Sequence, residues 1–328
     1  MKHFLYISWL IANIFCFYNS GFSQTNKIML TGGPEDISID TITNPQSPRL
    51  LASCNSRRKD EAKASEIYTI DIKTEKAEKL KRIGEPKDFC FNPHGIDLVK
   101  VKDSLILLVV NHCYTPYGNS IVRYLVKADA LYFLNKFTSP LFTSPNAVAG
   151  LPNGDYIVSN DASKHNAFDE MLFKLKKSTV VYCSGNDCNM AAGKVCYGNG
   201  LLILGDTVYQ ASTMPGEVYR YQLKDRKLIN KEVIVKAKGG DNLRQYGNEI
   251  LVASHLKFGK FLSHMKNSKK ISPTMIYAIN PYTKSKRVIY YNKGEEISAA
   301  STAIIYRDKL YICQIFDNFV LSVKMAEK

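Results

Sequence analysis

The chain repeats one pattern several times: a short hydrophobic strand, a turn, and a second strand in which apolar and polar residues alternate. The clearest second strands are residues 66–73, 217–224 and 275–282, with looser copies at 121–127 and 319–324. An apolar stretch precedes each, at 50–53, 105–110, 208–212, 250–254 and 310–313, and residues 155–159 belong to one further unit. Alternation with period two marks a strand with one face in a core, and long helical periodicity is absent. Units of about 45–60 residues, each a small antiparallel sheet, cannot bury a face alone and stack on their neighbours. The expectation is an all-β fold, a six-bladed β-propeller over residues 24–328, closed by a strand from around Ile28 to Leu30 that joins the final blade. A large β-sandwich or a β-solenoid would also repeat strands, but the recurring strand pairs favour the propeller.

Residues 1–23 read differently. Lys2 and His3 precede an apolar run, 4–18, broken only by Ser8 and Asn13, and small residues follow up to Ser23. A short basic region, an apolar region and small residues make a secretory signal peptide. The run is short for a bilayer span, and Phe15 is too bulky for Cys16 to serve as a lipid-attachment cysteine. Cleavage is expected near Ser23–Gln24, with the mature protein secreted or periplasmic.

Export bears on the cysteines. Seven remain after cleavage, and Cys183 and Cys188 are close enough for a local loop bridge in an oxidising compartment. An odd number leaves at least one thiol free or intermolecular, and zinc-ribbon spacing is missing. The formal net charge of +14 raises the question of nucleic acid, but the lysines are scattered and no arginine-rich arm or stacking platform accompanies them. No nucleic-acid partner is expected; such a surface suits peripheral contact with an anionic membrane, lipid or glycan instead. The sequence says nothing about oligomeric state.

In a propeller the first strand of each blade lines the tunnel, so residues just before those strands converge. Here they are Glu35 and Asp36, the stretch from Asn92 through His94 to Ile96, Asn146, Asn199, and Asp241 with Asn242. Nearly all are oxygen donors, the set a hard cation such as calcium takes from carboxylates, amides and backbone carbonyls. Taken singly, Asn199–Gly200 and Asp241–Asn242 read as turns; their recurrence at equivalent places makes them a set.

These residues resemble the serum paraoxonase/arylesterase family. The match lies in Phe91–Asn92–Pro93–His94–Gly95–Ile96, in Leu107 to His112, in the acidic pair Glu35–Asp36, and in Asn146 with Asn160–Asp161. It continues through Glu170–Met171, Asn199–Gly200, Asp241–Asn242 and Ser301–Thr302, so it runs from about residue 31 to the C-terminus. The resemblance implies a six-bladed propeller with two calcium ions in its tunnel that hydrolyses lactones and aryl esters. It implies that Glu35, Asn146, Asn199, Asp241 and Asn242 ligate a catalytic calcium, and that Asp36 and the backbone oxygen of Ile96 hold a deeper, structural one. His94 and His112 become a histidine dyad, His94 the general base and His112 its tautomer-keeper or proton acceptor, with His255 a further active-site histidine. Two positions depart from the pattern: Ala147 stands where an acid is expected, and Ala162 where a histidine is. The terminal cysteine bridge expected in the family's vertebrate members has no match either. One firmly bound calcium is therefore expected, the second being weak, absent or replaced by water.

A serine hydrolase is disfavoured because no Gly-x-Ser-x-Gly elbow is present. Cys113 is no nucleophile by virtue of adjoining His112, since neighbouring strand residues face opposite ways. A gluconolactonase-type hydrolase is disfavoured by the Asn-Pro-His-Gly stretch. The non-enzymatic alternative is a calcium-stabilised propeller that binds a partner or acts as a scaffold.

Overall fold

A computed structural model describes residues 24–59, 62–113, 118–165 and 167–326. The signal peptide expected over residues 1–23 lies outside the described residues. Six sheets form a six-bladed β-propeller. From tunnel to rim, blade 1 comprises Gly33–Asp40, Arg49–Asn55, Ser65–Asp71 and Ala77–Lys79. Blade 2 comprises Pro93–Val101, Ser104–His112, Asn119–Val126 and Ala130–Thr138, with Lys81–Ile83 added in parallel at its outer edge. Blade 3 runs through Pro145–Gly150, Tyr156–Asn160, Ser178–Ser184 and Asp187–Val195. Blade 4 runs through Gly198–Leu204, Thr207–Ser212, Glu217–Lys224 and Lys227–Lys236. Blade 5 is Gly240–Tyr246, Glu249–His255, Thr274–Ile279 and Lys286–Asn292.

Blade 6 is made from both ends of the chain. Ala300–Tyr306, Lys309–Gln314 and Phe319–Lys324 are completed by Thr25–Met29, antiparallel to the last of them with Ile28 opposite Val320. The innermost strands touch in turn around the ring, blade 6 returning to blade 1.

Six hydrophobic clusters fill the gaps between adjacent blades. Leu51 and Ile67 of blade 1, for example, pack with Ile96, Leu107, Val109 and Tyr124 of blade 2. This explains why the second strands are uniformly apolar. Ser104–His112 is buried at every position from Leu105 to Asn111, because a blade has a neighbour on each face. Alternation survives in the third strands, nearer the rim, as in Glu217–Lys224.

Two helices leave the blades on the side where the candidate residues gather. Helix α1 (Phe168–Leu172) joins the second and third strands of blade 3, and α2 (Phe258–Lys266) does the same in blade 5. Phe258, Phe261, Leu262 and Met265 of α2 recur at helical spacing and line the cavity above the tunnel. His264, on the same helix, is fixed from outside: Nε2 is 3.4 Å from Asp317, which also takes a 2.7 Å hydrogen bond from Arg58.

Candidate metal centre and active site

Every blade carries a β-bulge at the same place on its inner strand. Pairing with the second strand slips between Pro34 and Asp36, Pro93 and Ile96, Pro145 and Val148, Gly198 and Leu201, Gly240 and Leu243, and Ala300 and Thr302. A bulge frees a residue from the ladder and re-aims its side chain. The freed positions are Glu35, His94–Gly95, Asn146–Ala147, Asn199–Gly200, Asp241–Asn242 and Ser301. Neighbouring bulges nest closely. A Cβ on Gly95 would sit 2.3 Å from the Asn146 carbonyl oxygen, and one on Gly200 would sit 2.6 Å from Cα of Asn242. Glycine at these two positions lets the blades approach.

The bulges bring Glu35, Asn146, Asn199, Asp241 and Asn242 together, all buried. The amides turn their nitrogens outward: Nδ2 of Asn146 donates to Asp161 at 3.4 Å, and Nδ2 of Asn199 to Thr213 at 3.3 Å. Asn242 donates to Oε1 of Glu35 at 3.0 Å. Three buried oxygens are left with no hydrogen-bond partner: Oε2 of Glu35, Oδ1 of Asn146 and Oδ1 of Asn199. Orphaned buried acceptors are costly unless a ligand satisfies them. Burial first, then Asp36 and Asp241, push the Glu35 carboxyl well above the usual carboxylate range, although Arg57 and Asn242 oppose this. Burial likewise raises Asp161 to about 6. Excess buried negative charge together with unpartnered hard oxygens fits a divalent cation. Among the described residues no group of three His, Cys, Asp or Glu side chains suffices to hold a metal; this donor set instead combines two carboxylates with amides.

His94 and His112 stand on the two inner strands of blade 2, their rings stacked 4.6 Å apart. Cys90 and Cys113 form a disulfide that brackets them. Arg57, anchored on the carbonyls of Gly33, Asn55 and Ile315 at 3.1–3.2 Å, reaches Nδ1 of His94 at 3.0 Å. Arginine can only donate, so Nδ1 accepts and the neutral ring carries its proton on Nε2. Burial, then His112, then Arg57 drive His94 well below the ordinary histidine range. His112 places Nε2 2.6 Å from the Pro145 carbonyl, which only accepts, and burial lowers it to about 4. His255 turns Nε2 to Asp241 at 2.7 Å and leaves Nδ1 buried with no hydrogen-bond partner. All three rings line one cavity of about 980 Å³, with the oxygen cage at its floor and apolar side chains of α1 and α2 around it.

Asp36 points deeper. Its Oδ1 accepts from Ile37 N at 2.9 Å, from Thr302 at 2.9 Å and from the Arg244 guanidinium at 2.5 Å; Oδ2 accepts from Ile96 N at 2.8 Å. The same guanidinium nitrogen donates to the Ile96 carbonyl at 3.0 Å.

The arylesterase family profile matches residues 58–322. The chain belongs to the arylesterase family. Human serum paraoxonase/lactonase 3 is 25% identical over 263 residues, covering 76% of this chain and 74% of that protein. Mouse serum paraoxonase/arylesterase 1 is 25% identical over 273 residues, covering 78% and 76%. Among solved structures, a gluconolactonase of Xanthomonas campestris superposes with TM-score 0.59 at 13% identity, over 92% of this chain and 89% of that one. Regucalcin of Agrobacterium tumefaciens, a calcium-binding protein, gives 0.53 at 13% identity, over 92% of each chain. Both structural likenesses speak for the propeller alone.

In this arylesterase-family chain four of the oxygen donors expected from sequence, Glu35, Asn146, Asn199 and Asp241, line one cavity with the three histidines, and the fifth, Asn242, is hydrogen-bonded to Glu35 beside it. Asp36 and Ile96 converge too, but around Arg244 rather than an open space. Ala147 is buried, its N–H donating to Ser159 at 3.1 Å. The Cys183–Cys188 bridge is present, and Cys54, Cys196 and Cys313 are free and buried. Sequence reasoning missed Arg57, which sits in a surface-like Arg-Arg-Lys run, Arg244, which reads as the polar member of an alternating strand, and the Cys90–Cys113 pairing.

Proposed function

We propose that this protein is an exported, calcium-dependent hydrolase of lactones and aryl esters. The observation that carries the reading is the trio of buried, unpartnered oxygens on Glu35, Asn146 and Asn199 at the floor of a cavity that three histidines line. Family membership supplies the substrate class. The two disulfides suit an oxidising compartment, in keeping with a signal peptide over residues 1–23.

Glu35, Asn146, Asn199, Asp241 and Asn242 would hold the ion. When bound, calcium supplies the positive charge that polarises the ester carbonyl and favours the negative charge developing there. The chain's own groups divide the remaining work. His94, with Nδ1 committed to Arg57, offers Nε2–H as a hydrogen-bond donor to the carbonyl oxygen. This replaces the base's role that the sequence suggested for it. A base needs an open lone pair, and His255 has one at Nδ1 while Asp241 fixes its other nitrogen. Water gives a proton to Nδ1 of His255 as its oxygen bonds to the carbonyl carbon. The acyl C–O bond then breaks, and the departing oxygen takes the proton back from His255. His112 supports the His94 ring by stacking.

The test is a hydrolysis screen of lactones and aryl esters with and without a calcium chelator. Chelator-sensitive, calcium-restored turnover is expected; turnover indifferent to chelation, or none on any member, would overturn the reading.

A further inference from the structure

The upper and lower layers of the tunnel differ in how their oxygens are satisfied. In the upper cage three buried acceptors have no hydrogen-bond partner. In the lower layer both oxygens of Asp36 accept hydrogen bonds, and the Ile96 carbonyl accepts one as well. The group that closes this layer is the side chain of Arg244, which leaves the inner strand of blade 5 and crosses the tunnel to blades 1 and 2. Its Nη2 meets Asp36 at 2.5 Å and Ile96 O at 3.0 Å. Nε donates to Ile37 O at 2.8 Å, and Nη1 to Leu243 O at 2.9 Å.

We propose that Arg244 is a resident cation, its guanidinium taking the position a second divalent ion would need, so that the chain binds one calcium and not two. Asp36 and the Ile96 carbonyl are the oxygens that resemblance to the family reserves for a deeper ion, and here that ion does not fit. A guanidinium and a divalent ion cannot both sit against one carboxylate in a buried layer, since like charges repel strongly where water is excluded. Ala147 stands where the resemblance expects an acid, and the two departures are complementary: one negative group is gone and a fixed positive group has arrived. The arginine stays charged across all working pH. Ala147→Asp alone therefore leaves Arg244 on Asp36 and opens no metal site.

The inference rests on the calcium reading above only for the ion in the upper cage. The experiment is metal analysis of the full mature protein after gel filtration in calcium, comparing wild type, Arg244→Lys and the double variant Arg244→Ser/Ala147→Asp. One calcium per chain is expected in wild type and in Arg244→Lys, and one more in the double variant. Two in wild type would overturn the proposal whether or not any variant folds. A folded double variant with no gain would overturn it as well. No calcium in wild type with one in the double variant would support Arg244 as the resident cation while refuting the upper cage, so the two failures are told apart.

Discussion

Arg57 lies 3.0 Å from Nδ1 of His94 and thereby fixes the tautomer of that ring. The contact leaves His94 with a donor, Nε2–H, and no open lone pair. A glutamine can replace a donor but not a base. His94→Gln should lose about tenfold in kcat, and His94→Ala on the order of 10²–10³-fold, with calcium affinity unchanged in both. Steady-state kinetics beside calorimetric titration would check this. Equal, deep losses in the two variants would return the base's role to His94.

Glu35 and Asp241 supply the negative charge of the cage. Glu35→Gln keeps the shape but removes one of the two charges, and calcium affinity should fall on the order of 100-fold. Isothermal titration of chelator-stripped protein measures it. Unchanged affinity would remove Glu35 from the ligand set.

The bridge between Cys90 and Cys113 closes a 23-residue separation around the histidine pair. Chain-entropy arguments give such a link about 3 kcal/mol. Replacing both cysteines by serine should lower the unfolding free energy by that order. It should also depress turnover more than removing Cys183–Cys188, a short loop at the far edge of blade 3. Denaturant melts and kinetics on the two double variants would decide.

Asp317 gives the latch on α2 a pH dependence. Burial pushes its carboxyl upward, but hydrogen bonds from His264 and Arg58 outweigh that and hold it below the usual aspartate range. A carboxylate with a depressed folded value stabilises above its unfolded value, about 3.9, and loses that contribution as pH falls through the folded one. The melting temperature should drop in that acid window. Asp317→Asn should flatten the drop and lower stability at neutral pH, and a slope identical to wild type would count against the latch.

The proposed signal peptide has a direct check. Mass spectrometry of exported protein should place the mature N-terminus within a few residues of Gln24. A chain that still begins at Met1 would refute cleavage.

What the sequence could reveal follows from what is repeated. The blades were legible because strand alternation and turn chemistry are local, and the cage because six equivalent bulges place polar residues at matching points in the repeat. Arg244 and Arg57 were not. Each acts between blades, Arg244 on a partner 208 residues away and Arg57 on one 37 residues away, and neither sits in a distinctive local pattern. The Cys90–Cys113 link was undecidable among seven candidates until strand register set the two residues beside each other. The helices α1 and α2 are short interruptions whose periodicity is lost among strands.

The pairing of Thr25–Met29 with Phe319–Lys324 has a temporal side. The strand that completes blade 6 is made before the five blades that follow it, and its partner only after them. Until Phe319–Lys324 is made, Thr25–Met29 has no ladder to join, and the partial ring exposes two open edges. Such long-range closure is slow and leaves edges available to neighbouring chains.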